Sequence, residues 1–271
     1  MYRFIYRTAK FLYKLITDPN YRNYWIIKAK IARIPRYTKF KIKINGWDLH
    51  SPDSASFLSA YENIFVNRIY EFKTDNKKPY VLDVGANVGV SVLFFKTLFP
   101  SSEIIAFEAD PKIYEYLLKN VHGNGFNDVL IFNKAVWYEK ALLKFKADGA
   151  DGGRITLANN ANTIEVKAID LREFLSNRKI DFLKMDIEGA ETDILLRCSQ
   201  YLSGVENIFI EYHSAVGEPQ RLDQLLGVLK QNGFRYHMHS GFNKKMPYLN
   251  KLTSFSNYDM MLNIFAWREK I

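Results

Sequence analysis

Cysteine is nearly absent: Cys198 stands alone in 271 residues. A lone thiol excludes an internal disulfide, and without a cysteine cluster there is no sign of structural zinc. Long apolar runs are missing as well. No stretch of about 18 apolar residues occurs, so no membrane-spanning helix is expected. The first residues lack the uninterrupted apolar core of a secretory signal, because charges recur every few positions. Together these absences point to a reducing, cytoplasmic setting. Internal repeats and low-complexity segments are also missing.

Acidic charge is missing from one end. The net charge is +9, and residues 1–45 hold twelve of the 38 Lys and Arg against one acid, Asp18. The other 26 basic residues face 28 acidic ones, so the body is close to neutral. A uniformly basic nucleic-acid binder would look different, and nucleic acid is not the expected partner. The asymmetry suggests an arm with a partner of its own. In "MYRFIYRTAKFLYKLI", Arg3, Arg7, Lys10 and Lys14 fall on one helical stripe. Phe4, Ile5, Phe11, Leu12, Leu15 and Ile16 spread over the remaining surface. Such a helix over residues 1–16 can lie on an anionic membrane as a peripheral contact. It reads equally as a helix packed on its own domain with a solvated basic face.

What is present has an order. "KFKIKINGWDLHSPD" alternates around Asn45-Gly46, a hairpin signal. Residues 54–72 have helical spacing at Phe57, Leu58, Tyr61, Phe65 and Ile69. The polar breaker 73–79 marks a boundary between an N-terminal extension, 1–78, and a second domain, 79–271. From Tyr80 on, strands alternate with helices, which predicts an α/β fold with a mostly parallel, doubly wound sheet. "FRYHMHS" and "MLNIFAW" lack a clear helix between them, which predicts an antiparallel C-terminal edge.

The first strand runs into Asp83-Val84-Gly85-Ala86-Asn87-Val88-Gly89. A dinucleotide fingerprint needs glycine at 85, 87 and 90, but Asn87 and Val90 occupy two of these. No Gly-Lys-Ser/Thr follows, so a P-loop is excluded too. The turn suits a nucleoside ligand without phosphate. Glu108 ends the second strand, where a carboxylate can accept both ribose hydroxyls; alone, it would read as a partner for the next helix N-terminus.

Taken in sequence, "DVGANVG", "AFEADP", "KMDIEGAE" and "IEYH" resemble the FkbM family of S-adenosylmethionine-dependent methyltransferases, over roughly residues 79–215. The resemblance implies a Rossmann-like class I methyltransferase fold. It also implies O-methylation of a sugar, glycan, glycolipid or related natural product. Carried over by position, Asp83, Gly85, Ala86, Asn87 and Gly89 form the turn against the cofactor, and Glu108 holds its ribose. Ala109, Asn133 and Ala135 would flank the adenine. The basic N-terminal helix lies outside the resemblance.

A hydroxyl is a poor acid, so methyl transfer to it gains from a base or a metal. Lys184, Asp186 and Glu188 alternate at the end of the fourth strand, and Glu211 and His213 share a face of the fifth. Three mechanisms are open: His213 as base; a divalent ion such as Mg on Asp186, Glu211 and His213; or Lys184 acting with the carboxylates. Lys184 reads equally as a buried stem tied to an acid, and Glu188 and Glu191 as favourable charges at a helix N-terminus. His237, His239 and Arg154 are secondary candidates for substrate contact, and Tyr61 and Glu62 are candidates for a helix closing over the cofactor. Acceptor choice is expected to reside in 147–162, in 241–258 and in the N-terminal segment. The alternative from another class is an RNA methyltransferase or RNA-binding protein that uses the basic arm. Oligomeric state is not encoded legibly.

Overall fold

The computed structural model describes residues 2–150, 152–156, 163–176, 178–240 and 258–269. Two helices, α1 (Tyr2–Thr17) and α2 (Pro19–Ile31), open the chain. Asp18 caps α2 by accepting the N–H groups of Asn20 and Tyr21, with Pro19 set at the first turn. Strands β1 (Phe40–Ile44) and β2 (Trp47–Ser51) form the expected hairpin. Its turn residues Asn45 and Gly46 have φ of 52° and 84°, the left-handed pair that the Asn-Gly signal predicts. Helix α3 (Ser54–Tyr61) follows, capped by Asp53, and runs on as a π-helical turn over Glu62–Val66.

The central sheet comes next: β3 (Tyr80–Val84), α4 (Val90–Leu98), β4 (Glu103–Phe107), α5 (Pro111–Val121) and β5 (Leu130–Phe132). A second sheet interrupts it with β6 (Ala135–Trp137), β7 (Leu142–Lys146), β8 (Arg154–Ile155) and β9 (Thr163–Asp170). The chain returns through α6 (Arg172–Leu175), β10 (Ile180–Met185), α7 (Glu191–Cys198), β11 (Val205–Ala215), α8 (Leu222–Gln231), β12 (Arg235–Ser240) and β13 (Tyr258–Trp267).

The central sheet has the order β12-β13-β11-β10-β3-β4-β5. The strands β5, β4, β3, β10 and β11 pair in parallel, while β13 pairs antiparallel with both β11 and β12. The antiparallel end of the sheet is therefore where the sequence puts it, with the last strand inserted inside β12. The apolar stretch 128–136 divides between the two sheets: Leu130–Phe132 joins the central one and Ala135–Trp137 the second.

Strand side chains alternate between two apolar layers. Val81, Ile104, Phe182 and Phe209 face one layer, and Leu82, Ile105, Leu183 and Ile210 the other. The first layer includes Tyr24, Ile27, Ile31, Ile42, Phe57, Tyr61 and Phe65, so the segment before residue 73 shares a core with the sheet. The second layer is closed by Ile194 and Leu195 of α7 and Leu225 and Leu229 of α8. No helix among the described residues is long and apolar enough to cross a membrane.

Candidate active site

Four parallel strands come into line at one edge. Val84 pairs with Phe107 on one side and with Met185 on the other, and Met185 pairs with Ile210. The next residues along the chain are Gly85, Glu108, Asp186 and Glu211. They emerge side by side at the carboxyl edge, where open α/β sheets bind ligands.

Gly85 is required by packing. Its φ is +87°, and a Cβ there would lie 1.9 Å from the Asp186 carbonyl oxygen. The N–H groups of Gly85 and Ala86 both donate to the Phe107 carbonyl, at 3.1 and 2.9 Å. Asn87 is also left-handed, with φ 49°. Its N–H donates to one Glu108 carboxylate oxygen at 2.9 Å, and the Asp110 N–H donates to the other at 2.8 Å. Glu108 thus ties two turns together. Burial pushes its carboxyl up to about 7, against the pull of those two donors.

A cavity of about 260 Å³ opens over this row. Gly85, Ala86, Asn87, Glu108, Ala109 and Ala135 line one end, and Lys184, Asp186, Glu188 and Glu211 the other. Ser56, Ser59 and Asn63 of the N-terminal segment and Phe145 and Ile155 of the second sheet complete the wall. Residues 157–162 and 241–257, within the two expected specificity loops, lie outside the described residues.

Three residues expected to touch the cofactor sit behind the wall. Asp83 is fully buried, accepts the Ser91 hydroxyl and pairs with Lys184 at 3.3 Å. Gly89 starts α4 in a left-handed conformation, with Leu117 filling the space beside it. Asn133 donates from its amide to the Glu108 and Ala109 carbonyls at 2.9 and 3.2 Å. Of the three, only Asn133 bonds to the turn's backbone; Asp83 acts through Ser91 and Lys184, and Gly89 through its left-handed backbone.

Lys184 is buried. Its ammonium donates to the Gly85 carbonyl at 2.5 Å and pairs with Asp83 at 3.3 Å and Asp186 at 3.5 Å. Burial acts to lower its pKa, but Asp83 and Asp186 outweigh that and leave it raised. A cation held by three partners is a clamp between β3 and β10, not a proton acceptor.

His213 also differs from expectation. It is buried, and its Nδ1 lies 3.3 Å from Glu191 Oε1. Its Nε2 is 3.6 Å from Glu188 Oε2, beyond hydrogen-bonding distance. Burial favours the neutral ring, yet Glu191 and Glu188 overcome this and hold its pKa at about 10. The ring stands behind Glu188 rather than on the cavity wall, so the free base expected at His213 does not match this placement. The carboxylates are the groups that reach the cavity. Burial raises Glu188 and Glu211; the charge of Asp186 adds to this and His213 opposes it.

Glu188 has a φ of 61°, a left-handed backbone for a residue that is not glycine. Tyr258 holds it there, donating its hydroxyl to the Glu188 carbonyl at 3.1 Å and setting its ring 4.9 Å from that of His213. Strained backbone of this kind concentrates at functional positions. Glu191 turns inward, accepting the N–H groups of Ile187 and Gly189, so it closes the turn ahead of α7. Among the secondary candidates, His237 and His239 are exposed, Tyr61 stacks on Phe65 inside the core, and Arg154 lies over Tyr258. Sequence reasoning missed Tyr258 and the Ser56-Ser59-Asn63 wall. The spacing of 56, 59 and 63 along one helix face was a signal for the wall; Tyr258 carried none.

Comparison with known proteins finds similarity to methyltransferases. The family model described as "Methyltransferase FkbM domain" matches residues 83–236. The methyltransferase sdnD of Sordaria araneosa is 26% identical over 211 residues, covering 61% of this chain and 78% of that protein. The 2-O-methyltransferase NoeI of Sinorhizobium fredii is 24% identical over 155 residues, covering 49% and 63%. A solved methyltransferase FkbM from Methylobacillus flagellatus superposes with a TM-score of 0.46 at 13% identity, covering 90% of this chain and 59% of that one.

Proposed function

The chain belongs to the FkbM methyltransferase family, and within that S-adenosylmethionine-dependent family we propose that it is an O-methyltransferase. Its acceptor is a hydroxyl of a sugar, glycan, glycolipid or related natural product. The observation that carries this is the two-ended cavity. A phosphate-free nucleoside site at Gly85–Asn87 and Glu108 faces a carboxylate-rich end at Asp186, Glu188 and Glu211. A relative named as a 2-O-methyltransferase supports the choice of oxygen.

The residues at the nucleoside end fit the cofactor. Glu108 offers a half-buried carboxylate to a ribose diol, and Gly85 lets the backbone come close. The Gly85–Asn87 turn and Glu108 would hold S-adenosylmethionine, which would supply an activated methyl group to the acceptor oxygen and be left as S-adenosylhomocysteine. Glu188 takes the hydroxyl proton. It lines the cavity, and Tyr258 and the turn before α7 fix its backbone. Lys184 keeps the ends of β3 and β10 together and its charge offsets Asp186. Ser56, Ser59 and Asn63 offer hydroxyl and amide groups suited to a polyhydroxylated acceptor.

The basic N-terminal arm supports a contact with an anionic lipid surface or a lipid-linked acceptor, next to a cytoplasmic active site. The test is transfer of labelled methyl from S-adenosylmethionine to a panel of saccharides, glycolipids and RNA. Label recovered as a base-stable methyl ether on a saccharide is expected. Label on RNA or on an amine, with saccharides unlabelled, would replace this assignment with the RNA-methyltransferase alternative.

A further inference from the structure

Behind the acceptor end of the cavity lies a buried imidazole with one nitrogen that makes no hydrogen bond and faces the Glu188 carboxylate at 3.6 Å. His213 is 5% exposed, and its Nε2 has no hydrogen-bond partner. The other nitrogen, Nδ1, faces Glu191 at 3.3 Å. A carboxylate on one ring nitrogen fixes the tautomer and leaves the second free to ligate, the usual support of a metal-bound histidine. The charges are also unbalanced. Among the described residues, the carboxylates Asp186, Glu188, Glu191 and Glu211 gather around the cations Lys184 and His213. Ligand atoms of Asp186, Glu211 and His213 all lie within 4.8 Å of one another. Donors around one ion at about 2.1 Å stand at most about 4.2 Å apart, so small rotations close the set.

We propose that Asp186, Glu211 and His213 hold a divalent transition-metal ion at the acceptor end of the cavity. One imidazole and two carboxylates favour Mn²⁺, Fe²⁺, Co²⁺ or Zn²⁺ over Mg²⁺ or Ca²⁺, which prefer oxygen alone. Asp186 and Glu211 line the cavity and His213 does not, so the open face of the ion is toward the acceptor. A hydroxyl bound there becomes a stronger acid, and Glu188 takes its proton. The ion's catalytic role rests on the methyltransferase assignment; its ligand set does not.

The experiment uses the full chain, stripped with a chelator and titrated with MnCl₂ by calorimetry and by the electron paramagnetic resonance signal of free Mn²⁺. One saturable site per chain is expected, weakened at least tenfold in Glu211→Gln. In the wild-type protein loaded with Co²⁺, a hyperfine-shifted exchangeable imidazole proton is expected from His213 Nδ1–H. That signal needs no substitution, so it decides the matter even if the variant fails to fold. A folded wild-type chain with no saturable Mn²⁺ binding below about 1 mM overturns the proposal. So does a site with no shifted imidazole proton. Titrating the same preparation with S-adenosylhomocysteine separates the two questions. A chain that binds it but shows no saturable Mn²⁺ binding refutes the metal site alone, and a chain that binds Mn²⁺ but not S-adenosylhomocysteine refutes the methyltransferase geometry alone.

Discussion

Glu108→Gln should move stability and cofactor affinity in opposite directions. In the folded chain, burial raises the Glu108 carboxyl from 4.5 to about 7. A folded-state pKa above the unfolded value means that the group supports folding below about pH 4.5. That support is lost as pH rises through about 7. That rise corresponds to about 2–3 kcal/mol once residual solvent exposure is discounted. Glutamine has no charge to desolvate, but its NH₂ must face one of the Asn87 or Asp110 N–H groups, which costs about 1 kcal/mol. The variant should therefore be about 1–2 kcal/mol more stable than wild type at pH 8, and not more stable at pH 4.5. Cofactor affinity should fall instead. The carboxylate can accept both ribose hydroxyls and the amide only one, a loss of about 2–4 kcal/mol, or about 30- to 1000-fold in Kd. Urea unfolding at the two pH values and calorimetry with S-adenosylhomocysteine at pH 8 read both effects. Affinity within threefold of wild type would refute the ribose contact. A stability difference that ignores pH would refute the buried-carboxylate reasoning.

Three further outcomes follow from the geometry. Glu188→Gln should lower kcat by about 10²–10⁴ with little change in S-adenosylhomocysteine affinity, as expected for a proton acceptor remote from the ribose; unchanged kcat removes Glu188 from proton transfer. Gly85→Ala combines a left-handed φ with a Cβ 1.9 Å from the Asp186 carbonyl, and should cost about 2–5 kcal/mol in urea unfolding while abolishing cofactor binding. A variant as stable as wild type would mean that β3 and β10 are not locked at that point. Ile5, Leu12 and Ile16 are exposed on α1, so replacing all three with Ser should abolish sedimentation with anionic vesicles and leave methyl transfer to a soluble acceptor intact. Equal sedimentation of the variant would reject α1 as a lipid contact.

The sequence disclosed the fold because its layers are written at single-residue period. Val81 and Leu82, Ile104 and Ile105, and Phe182 and Leu183 each split between the two cores. A buried parallel strand flanked by helices leaves few other arrangements. The end of the cavity at Gly85 and Glu108 was legible for a related reason. Gly85 and Glu108 belong to the turns that leave adjacent strands, so strand order alone places them together. The acceptor end was less legible because side-chain direction there depends on pairings far along the chain. Period-two spacing put Glu211 and His213 on one face, yet it could not show that α7 brings Glu191 to the His213 ring. Nor could it show that Tyr258 covers that ring and holds Glu188 in a left-handed turn.

The misplacement of His213 has a physical source that bears on how such clusters are to be interpreted. Residue type suggested a base, because histidine titrates near neutrality when unperturbed. Position decides otherwise. Glu191 holds Nδ1, and Glu188 stands between the ring and the cavity. An imidazole in that setting must carry a proton or a metal ion to offset the carboxylates around it. Either cation would also restrain Glu188, so that the proposed proton acceptor and the histidine behind it would act as one unit. Removing His213 should then perturb Glu188 before it touches the acceptor, and its loss should appear in kcat rather than in cofactor affinity.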